Sequence, residues 1–315
     1  MTPTPAPGPS TPSTLGGPGW RPRARAHGEE LGPVWAACGV SSAWAPLHEV
    51  LLAVPGDEQR FAEDPGTWLM LERPDLRTLR AQAKALGAAY AAEGVTVRWS
   101  LPSRPRPNHL FCCDLFFMTP EGAVLARMAA EQRAGEERGV AEALATLGVP
   151  VLLTPRGRAT FEGADALWLD TSTVLVGTGR RTNAEGVAQL RWLLAGMGVQ
   201  VVEAELSPGV QHLLGAVNPF AAGRAAALST HLTPSLRQAL SGWDLVELPP
   251  DEETETRRAM NFVTLGPGRV LMPGGCPRTR ARLEAAGVVV VEAEVSEYVK
   301  AGGAMGCATG ILRRG

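Results

Sequence analysis

The sequence predicts an α/β fold, a five-fold pseudosymmetric α/β propeller, because one pattern of residues occurs five times along the chain. Each copy is an amphipathic helical stretch, then Gly or Trp, then a short strand rich in β-branched residues. Successive copies lie 54, 50, 45 and 44 residues apart, at residues 94–97, 148–151, 198–201, 243–246 and 287–290. A repeat of this length indicates a unit that buries its apolar face only against neighbouring copies. Five such units around an axis bring their loops to one central mouth, where functional residues are expected.

Local patterns place several elements of these units. Residues 50–54 (VLLAV) predict the first buried strand, and Pro74 is predicted to open a helix whose apolar residues recur at helical spacing. These residues are Leu76, Leu79, Ala83, Leu86 and Tyr90. A later unit repeats the spacing with Val187, Leu190, Leu194 and Met197. Further strands are predicted between Gly- and Pro-rich turns, at residues 123–126, 173–176 and 269–272.

The first 33 residues differ in composition from the rest of the chain. They hold eight prolines among Gly, Ser and Thr. Such a segment buries too little apolar surface to offset the entropy lost on ordering. We therefore expect residues 1–33 to form a disordered tail and residues 34–315 to form one folded domain.

The overall composition excludes several classes of function. Apolar residues make up 45% of the 315 residues, and the formal net charge is −2 with no long basic run, which disfavours nucleic-acid binding. The chain has no run of 18 apolar residues and no apolar leader, so we expect neither a membrane span nor a signal peptide. The five cysteines are scattered without a C-x-x-C pair, which favours free thiols in the reducing cytoplasm.

Two residues have the chemistry of a nucleophile and its proton partner. Cys307 lies in a Gly-rich segment, residues 301–310, where small neighbours leave a thiolate accessible. His212 lies at the start of a predicted short strand, and a neutral imidazole can both accept and donate a proton near pH 7. The residues alone leave open a buried structural thiol and a structural histidine as alternatives.

Three acids lie in apolar or glycine-rich surroundings. Glu162 and Asp165 lie on either side of a glycine and an alanine, between a predicted turn and a strand. Asp114 lies within a predicted apolar strand, residues 110–117. A buried carboxylate needs a cation or hydrogen-bond donors, which are supplied either by the protein or by a cationic ligand. Both interpretations stay open at this point.

Arg181 belongs to a glycine-containing loop, residues 177–186, that leads into a helix predicted to begin near Asn183. Adjacent arginines beside a helix N-terminus can hold an anion such as a carboxylate. The glycine spacing fits neither a dinucleotide-binding loop nor a P-loop, so nucleotide binding is not expected. Together the candidates suit a planar cation gripped by carboxylates, attacked by a thiolate and protonated by a histidine.

In their order along the chain, these motifs resemble those of the penteins, a guanidine-modifying superfamily. It includes arginine deiminases, dimethylarginine dimethylaminohydrolases and amidinotransferases. The resemblance extends from residue 44 to the C-terminus and rests on five motifs. They are Phe-x-x-Asp at 111–114, Glu-Gly-x-Asp at 162–165, Gly-x-Gly-x-Arg-Thr-Asn at 177–183, His-Leu at 212–213 and Gly-Gly-x-x-x-Cys-x-Thr at 302–309. The resemblance implies that residues 34–315 form a pentein catalytic domain with its active site at the central mouth.

The resemblance also implies a reaction, the hydrolysis of the guanidino group of an arginine derivative through a covalent cysteine–thiouronium intermediate. Catalytic roles fall to Cys307 as nucleophile, His212 as general acid and base, and Glu162. Substrate contacts fall to Asp114, Asp165, Arg181 and Arg133, with Asp114 and Glu162 binding the guanidinium and the two arginines contacting the substrate carboxylate. No cofactor is implied, and no metal, since no His-x-x-His or Glu-x-x-His pair is present.

One departure from the family pattern bears on the substrate. Arginine deiminases usually carry an acid two residues after the histidine, where this chain has Leu214. The difference favours a dimethylarginine dimethylaminohydrolase, whose pocket needs room for N-methyl groups and which yields citrulline and an amine. Arginine deiminase or dihydrolase, amidinotransferase and a non-catalytic binding module stay open as alternatives. The expected partner is a small guanidino molecule, and a homodimer stays open.

Overall fold

The computed structural model describes residues 11–315, in which fifteen strands form five three-stranded sheets. The strands are β1 (Leu47–Ala53), β2 (Thr96–Ser100), β3 (Phe116–Thr119), β4 (Gly122–Leu125), β5 (Val151–Leu153), β6 (Ala166–Asp170), β7 (Thr173–Thr178), β8 (Gln200–Glu205), β9 (Val217–Ala221), β10 (Arg224–Leu228), β11 (Asp244–Leu248), β12 (Val263–Gly266), β13 (Arg269–Pro273), β14 (Val289–Ala293) and β15 (Gly310–Arg314). The helices are α1 (Leu76–Ala92), α2 (Cys112–Leu115), α3 (Glu136–Leu147), α4 (Ala184–Ala195), α5 (Pro234–Ala239), α6 (Glu252–Glu255), α7 (Pro277–Ala285), α8 (Ser296–Lys300) and α9 (Met305–Ala308).

All five sheets share one connectivity, which confirms the predicted five-fold α/β propeller. In each sheet the middle strand pairs antiparallel with a buried first strand and parallel with a half-exposed outer strand. A helix connects the middle strand to the outer strand, as a parallel pair requires. The five connecting helices are α1, α3, α4, α5 and α7.

The ring closes through strands from opposite ends of the chain. β15 pairs antiparallel with β1, so the unit that begins at residue 47 takes its first strand from residues 310–314. Apolar contacts join neighbouring units around the ring. One buried cluster combines side chains of β6 to β8 with those of β9 and β10, and another combines β10 and β11 with β13. Each unit therefore completes its core with side chains of the next unit, as the repeat predicts.

The helices α1 and α4 each begin after a residue whose side chain caps the first turn. α1 begins after Asp75, whose carboxylate accepts a hydrogen bond from the backbone N–H of Thr78, and its apolar stripe is buried. α4 begins after Asn183, whose side chain accepts a bond from the N–H of Gly186. Both residues satisfy N–H groups that a helix leaves unpaired at its first turn. The predicted start of α4 is confirmed, whereas α1 begins at Leu76, two residues after Pro74, because Asp75 serves as its cap.

Three local predictions were wrong. Asp114 lies on the short helix α2 instead of within a strand, because the apolar run splits into a helical turn and the strand β3. His212 precedes a 3-10 turn, Leu213–Gly215, and the strand β9 begins only at Val217. Cys307 lies on the short helix α9 instead of in an open loop. Each residue still lies two to five residues before the first strand of its unit.

The predicted disordered tail lies partly outside the described residues, since residues 1–10 are not described. Between residues 11 and 33 the structure has two short 3-10 helices, Ser13–Leu15 and His27–Glu30. The ring of His27 lies 2.9 Å from the carbonyl oxygen of Glu121. Disorder of residues 1–33 stays a prediction. No helix between residues 11 and 315 has the length and apolar content needed to cross a membrane.

Candidate active site

Each unit of the ring carries one polar side chain of the site two to five residues before its first strand. Following the chain, these residues are Asp114, Glu162, His212, Asn261 and Cys307, which lie 48, 50, 49 and 46 residues apart. The period equals that of the repeat, so the units bring equivalent positions to one end of the ring. The structure therefore gathers four predicted site residues and adds a fifth, Asn261, which the sequence analysis missed.

Close backbone approach explains the glycines around Cys307. A Cβ on Gly303 would lie 2.5 Å from Cε1 of Phe111 and 3.0 Å from Cβ of Cys307. A Cβ on Gly306 would lie 3.0 Å from Oδ1 of Asn261. Real side chains avoid such contacts, so only glycine lets α9 pack this closely against its neighbours. The Gly-rich motif positions the thiol by tight packing.

The thiol of Cys307 is neutral in the resting site. Burial raises its pKa, and the nearby charge of Asp114 adds to the effect, so that the pKa reaches about 11. A hydrogen bond from the side chain of Asn261, 3.1 Å from Sγ, acts in the opposite direction. Because the thiolate is the reactive form, a ligand that restores positive charge near Asp114 would favour it.

His212 and Glu162 form a buried ion pair. Nε2 of His212 lies 2.7 Å from Oε2 of Glu162, and both side chains are at most 5% exposed. Burial alone would lower the pKa of His212, but the charge of Asp114 and the bond to Glu162 outweigh it and raise the pKa to about 9. Burial works against the charge of Glu162 as well, yet the bond to His212 leaves its pKa lowered. At neutral pH the pair is an imidazolium and a carboxylate.

Glu162 is largely engaged with protein groups. Its Oε1 accepts a hydrogen bond from the backbone N–H of Ala129 at 3.1 Å and lies 3.5 Å from Nη1 of Arg181. Its Oε2 is taken by His212. The geometry suits a residue that orients and charges the imidazole, which differs from the direct guanidinium contact implied by the family resemblance.

Asp114 keeps one carboxylate oxygen without a partner. Oδ2 accepts a hydrogen bond from Nη1 of Arg133 at 2.7 Å. Oδ1 is buried, makes no hydrogen bond with a described residue, and lies 3.7 Å from Nδ1 of His212. An unpaired buried carboxylate oxygen is costly unless a donor reaches it. Oδ1 is therefore the atom of this site that best suits a cationic ligand.

Arg133 lies inside the protein, in a cluster of carboxylates. It donates to Asp114 and, from Nε at 2.9 Å, to Glu136, and its Nη1 lies 3.8 Å from Oε2 of Glu162. The side chain is only 3% exposed. Arg133 thus holds Asp114 in place, whereas the sequence analysis expected it to contact the carboxylate of a substrate.

Asp165 links two loops of the site. Its Oδ2 accepts a hydrogen bond from the hydroxyl of Thr182 at 2.7 Å, and Oδ1 accepts one from the backbone N–H of Leu213 at 3.1 Å. The residue is fully buried, and burial raises its pKa to about 7. Both oxygens are used, so the structure places Asp165 as a brace for the loop that carries His212, not among the groups facing a ligand.

Cys307 and His212 line a central cavity of about 440 Å³. Cys113, Leu214, Arg258 and Asn261 are also on its wall. Arg258 makes no ion pair with any residue between 11 and 315, and its buried Nε has no hydrogen-bond partner. Arg181 keeps part of its side chain exposed, 15%, beside Glu162. Arg258 is therefore a candidate to hold an anion, and Arg181 is a second candidate although it already lies beside Glu162.

Three residues of the site have side chains that can ligate a metal ion, namely Asp114, Glu162 and His212. Their ligand atoms lie within 4.8 Å of one another. However, Arg133 already lies 2.7 Å from Asp114 and 3.8 Å from Glu162, and His212 is bonded to Glu162. These contacts balance the negative charge that would attract a cation such as Zn²⁺, so ion pairing within the protein is favoured. The absence of a metal and of a cofactor stays a prediction.

The fold and the gathered residues define the class of protein. A ring of five three-stranded units with cysteine, histidine and carboxylates at one end is a pentein, a member of the guanidine-modifying superfamily. A family profile described as "Arginine deiminase" matches residues 87–208. The chain is 32% identical over 271 residues to the N(G),N(G)-dimethylarginine dimethylaminohydrolase of Streptomyces coelicolor, which covers 85% of this chain and 98% of that protein. The chain therefore belongs to the N(G),N(G)-dimethylarginine dimethylaminohydrolase family.

Solved structures share the fold. An adduct of a dimethylarginine dimethylaminohydrolase with 4-chloro-2-hydroxymethylpyridine superposes with a TM-score of 0.69 at 23% identity, covering 85% of this chain and 100% of that one. The N-terminal domain of ArgZ, a cyanobacterial arginine dihydrolase, gives a TM-score of 0.73 at 20% identity, covering 84% and 98%. At these identities the likeness establishes the architecture.

Proposed function

We propose that the protein hydrolyses a dimethylarginine-like substrate to citrulline and an amine through a covalent intermediate on Cys307. Membership of the family makes the protein a hydrolase that acts on guanidino C–N bonds. The observation that carries the finer proposal is the site itself. A thiol, an imidazolium–carboxylate pair and a carboxylate with one unpaired oxygen converge at one end of the ring.

Binding begins at Asp114. A guanidinium offers planar N–H donors that match the free Oδ1 of this carboxylate. The cation also offsets the negative charge that helps to hold the pKa of Cys307 near 11. Substrate binding therefore promotes loss of the thiol proton to solvent, and the thiolate forms when its electrophile is in place.

The chemistry then needs one proton from His212. The thiolate adds to the guanidino carbon, and the imidazolium donates its proton to the departing nitrogen as the C–N bond breaks. The amine leaves and a thiouronium remains on Cys307. The neutral imidazole next takes a proton from water, whose oxygen adds to the same carbon. The C–S bond then breaks, which regenerates the thiolate, and the ureido product leaves after its added hydroxyl group loses a proton to solvent.

The cavity wall favours an N-methylated substrate. Leu214 lines the cavity at the position where arginine deiminases usually carry an acid. An apolar side chain there can pack against methyl groups, whereas it offers no partner to an unsubstituted guanidinium nitrogen. For the other end of the substrate we assign the carboxylate to Arg258, whose buried Nε has no partner among the described residues, and to Arg181, which is partly exposed beside Glu162.

Turnover with three substrate sets tests the proposal. Purified protein is incubated with N,N-dimethylarginine, with arginine, and with arginine plus a primary amine, while ureido product and released amine are quantified. We expect citrulline and dimethylamine from the first set in excess of the others, and no turnover by Cys307→Ser. Ammonia from arginine would instead indicate a deiminase or dihydrolase, and a new guanidine on the acceptor an amidinotransferase. Absence of turnover with every guanidine would contradict the proposal and favour a binding module.

The cysteines bear on the compartment. All five are free thiols in the structure. Free thiols, including the proposed nucleophile, persist in a reducing environment, which supports the proposal of a cytoplasmic location. Assembly as a homodimer stays a prediction.

A further inference from the structure

Four of the five equivalent positions in the ring carry groups of the proposed reaction, and the fifth carries Asn261. We propose that Asn261 is a further catalytic residue, which stabilises the thiolate of Cys307 by a direct hydrogen bond from its side-chain amide. The inference deepens the proposed function and rests on Cys307 as its nucleophile. It concerns a residue that the sequence motifs leave out.

The bonding of the amide fixes which of its atoms faces the sulfur. Oδ1 of Asn261 accepts a hydrogen bond from the backbone N–H of Cys307 at 3.0 Å, and Nδ2 lies 3.1 Å from Sγ. A flipped amide would oppose its NH₂ group to that N–H donor. Because Nδ2 can only donate, the sulfur must accept. A thiolate accepts far better than a thiol does, so this bond selectively stabilises the anion.

The backbone of the same segment holds Asn261 against α9. Its carbonyl oxygen accepts a bond from the N–H of Gly306 at 3.0 Å, and its own N–H donates to the carbonyl of Arg258 at 2.8 Å. Arg258 takes a left-handed conformation with φ of 59°, which is uncommon for a residue with a long side chain. The tight turn from residue 258 to residue 261 thus directs the amide at the sulfur at some conformational cost.

The other groups around the sulfur explain why such a donor is needed. The charges of Asp114 on α2 and Arg258 on the turn act on Cys307, and the thiol of Cys113 interacts electrostatically with it. His212 lies 3.7 Å from Asp114. Asp114 opposes the thiolate and Arg258 favours it. Arg258 acts only through charge, since no hydrogen bond joins it to the sulfur. Asn261 is the side chain that donates directly.

Titration of the thiol tests the proposal without requiring turnover. Asn261→Asp preserves shape and the acceptor for the N–H of Cys307, but replaces the donor with a second carboxylate oxygen. Asn261→Ala removes the donor without adding charge. The thiolate midpoint is followed by ultraviolet absorbance and by the pH dependence of iodoacetamide alkylation, with Cys307→Ser as the blank. We expect the midpoint to rise in the order wild type, Asn261→Ala, Asn261→Asp, with alkylation at fixed pH slowed about tenfold or more in Asn261→Asp, as one pKa unit dictates.

A matched control and a second readout separate catalysis from structure. Asn183→Asp makes the same change at the cap of α4 and should leave the midpoint unaltered. In turnover assays the Asn261 variants should lose kcat with little change in KM. An unchanged midpoint in both folded variants would overturn the proposal, even if turnover fell. If the wild-type protein hydrolysed no guanidine while the midpoints moved as expected, the proposed reaction would fail but the role of Asn261 at the thiol would stand.

Discussion

The charged and polar groups of the site form an acidic side and a thiol side, which are held in different ways. The acidic side consists of buried groups that pair with one another, namely Asp114, Arg133, Glu136, Glu162 and His212. The thiol side consists of Arg258, Asn261 and Cys307, where one amide donates to the sulfur and the arginine has no ionic partner among the described residues. On the acidic side, the imidazolium and its carboxylate partners are already charged before a ligand binds. On the thiol side, the pKa of Cys307 is about 11, so we expect the thiolate to form only when a cation binds nearby. The difference supports the proposal that the positive charge of the substrate helps to activate the thiol.

The largest effect on turnover should follow from Asp114→Asn. Asp114 pairs with Arg133 on the acidic side, and its charge also acts on Cys307 on the thiol side. We expect kcat/KM to fall about 10³-fold, since the guanidinium loses its carboxylate and Arg133 loses a buried partner. The same change should lower the pKa of Cys307, because the charge of Asp114 raises it. Turnover assays and thiol titration on one sample check both directions. A pKa of Cys307 that stays unchanged or rises in Asp114→Asn would contradict the role assigned to this carboxylate at the thiol.

The next effect concerns the charge of the imidazole. Glu162→Gln removes the hydrogen-bonded carboxylate from His212, so the pKa of the imidazole should fall from about 9. We expect kcat/KM at neutral pH to drop about 10²-fold, as for loss of a positioned general acid. The pH profile provides the check, because the limb assigned to His212 should move to lower pH. If kcat/KM fell equally at every pH, so that the apparent pKa values of the profile did not move, the limb would belong to a group other than His212.

The same pair should make stability depend on pH. The folded-state pKa of His212 is raised from 6.5 to about 9, so its ionic contribution is fully present below pH 6.5 and is lost as the pH rises through 9. We expect the free energy of unfolding of wild-type protein to decline across this window, and Glu162→Gln to decline less. Urea unfolding at a series of pH values measures the difference. Equal slopes for both proteins would show that the pair is not the source.

On the thiol side, Arg258→Met should give a smaller and more selective effect. It removes an unpaired cation but keeps an unbranched side chain on the cavity wall. We expect KM for a substrate with a carboxylate to rise about tenfold, as for loss of one charge-assisted hydrogen bond. A methylated guanidine without a carboxylate serves as the control, because its KM should not change. Equal losses for both substrates would remove Arg258 from carboxylate recognition.

The smallest effect is expected for Asp165→Asn. The amide oxygen of the variant can still accept from the N–H of Leu213, and its NH₂ group can donate to the hydroxyl oxygen of Thr182. Because the pKa of Asp165 is raised to about 7, the change also removes little charge near pH 6. We expect KM and kcat to stay within about twofold of wild type, as for a change away from the reacting groups. Steady-state kinetics near pH 6 provide the check. A tenfold rise in KM would restore Asp165 to the substrate-binding residues.

The fold was predictable because its determinants are local and repeated. Five copies of one helix–strand pattern and capped amphipathic stripes such as that of α1 are visible without knowledge of tertiary contacts. The conformation at Asp114 was not predictable in the same way. An apolar run of this length suits a buried strand and a buried helical turn equally well, and only packing decides between them.

The residues of the site that could be predicted from the sequence are those with a nucleophilic or titratable side chain. Cys307, His212 and the acids stand out by type, but their partners do not follow from position along the chain. Arg133 and Asp165 look like ligand-binding residues until their hydrogen bonds are known. Asn261 has no titratable group to attract notice, although it lies 49 residues after His212 and 46 before Cys307, in step with the repeat.

The closure of the ring has a consequence for how this protein matures. Only two residues separate Cys307 from β15, which pairs with β1 at the far end of the chain. Strand pairings that span so much sequence form late, because the intervening chain must first collapse. A ring in which β15 had not yet paired with β1 would already contain the buried cluster of Asp114 and Glu162. Cys307 would not yet be held next to that cluster. The active site would therefore be completed only when β15 pairs with β1. Until then, the folding chain would not hold Cys307 in the arrangement that makes it a nucleophile.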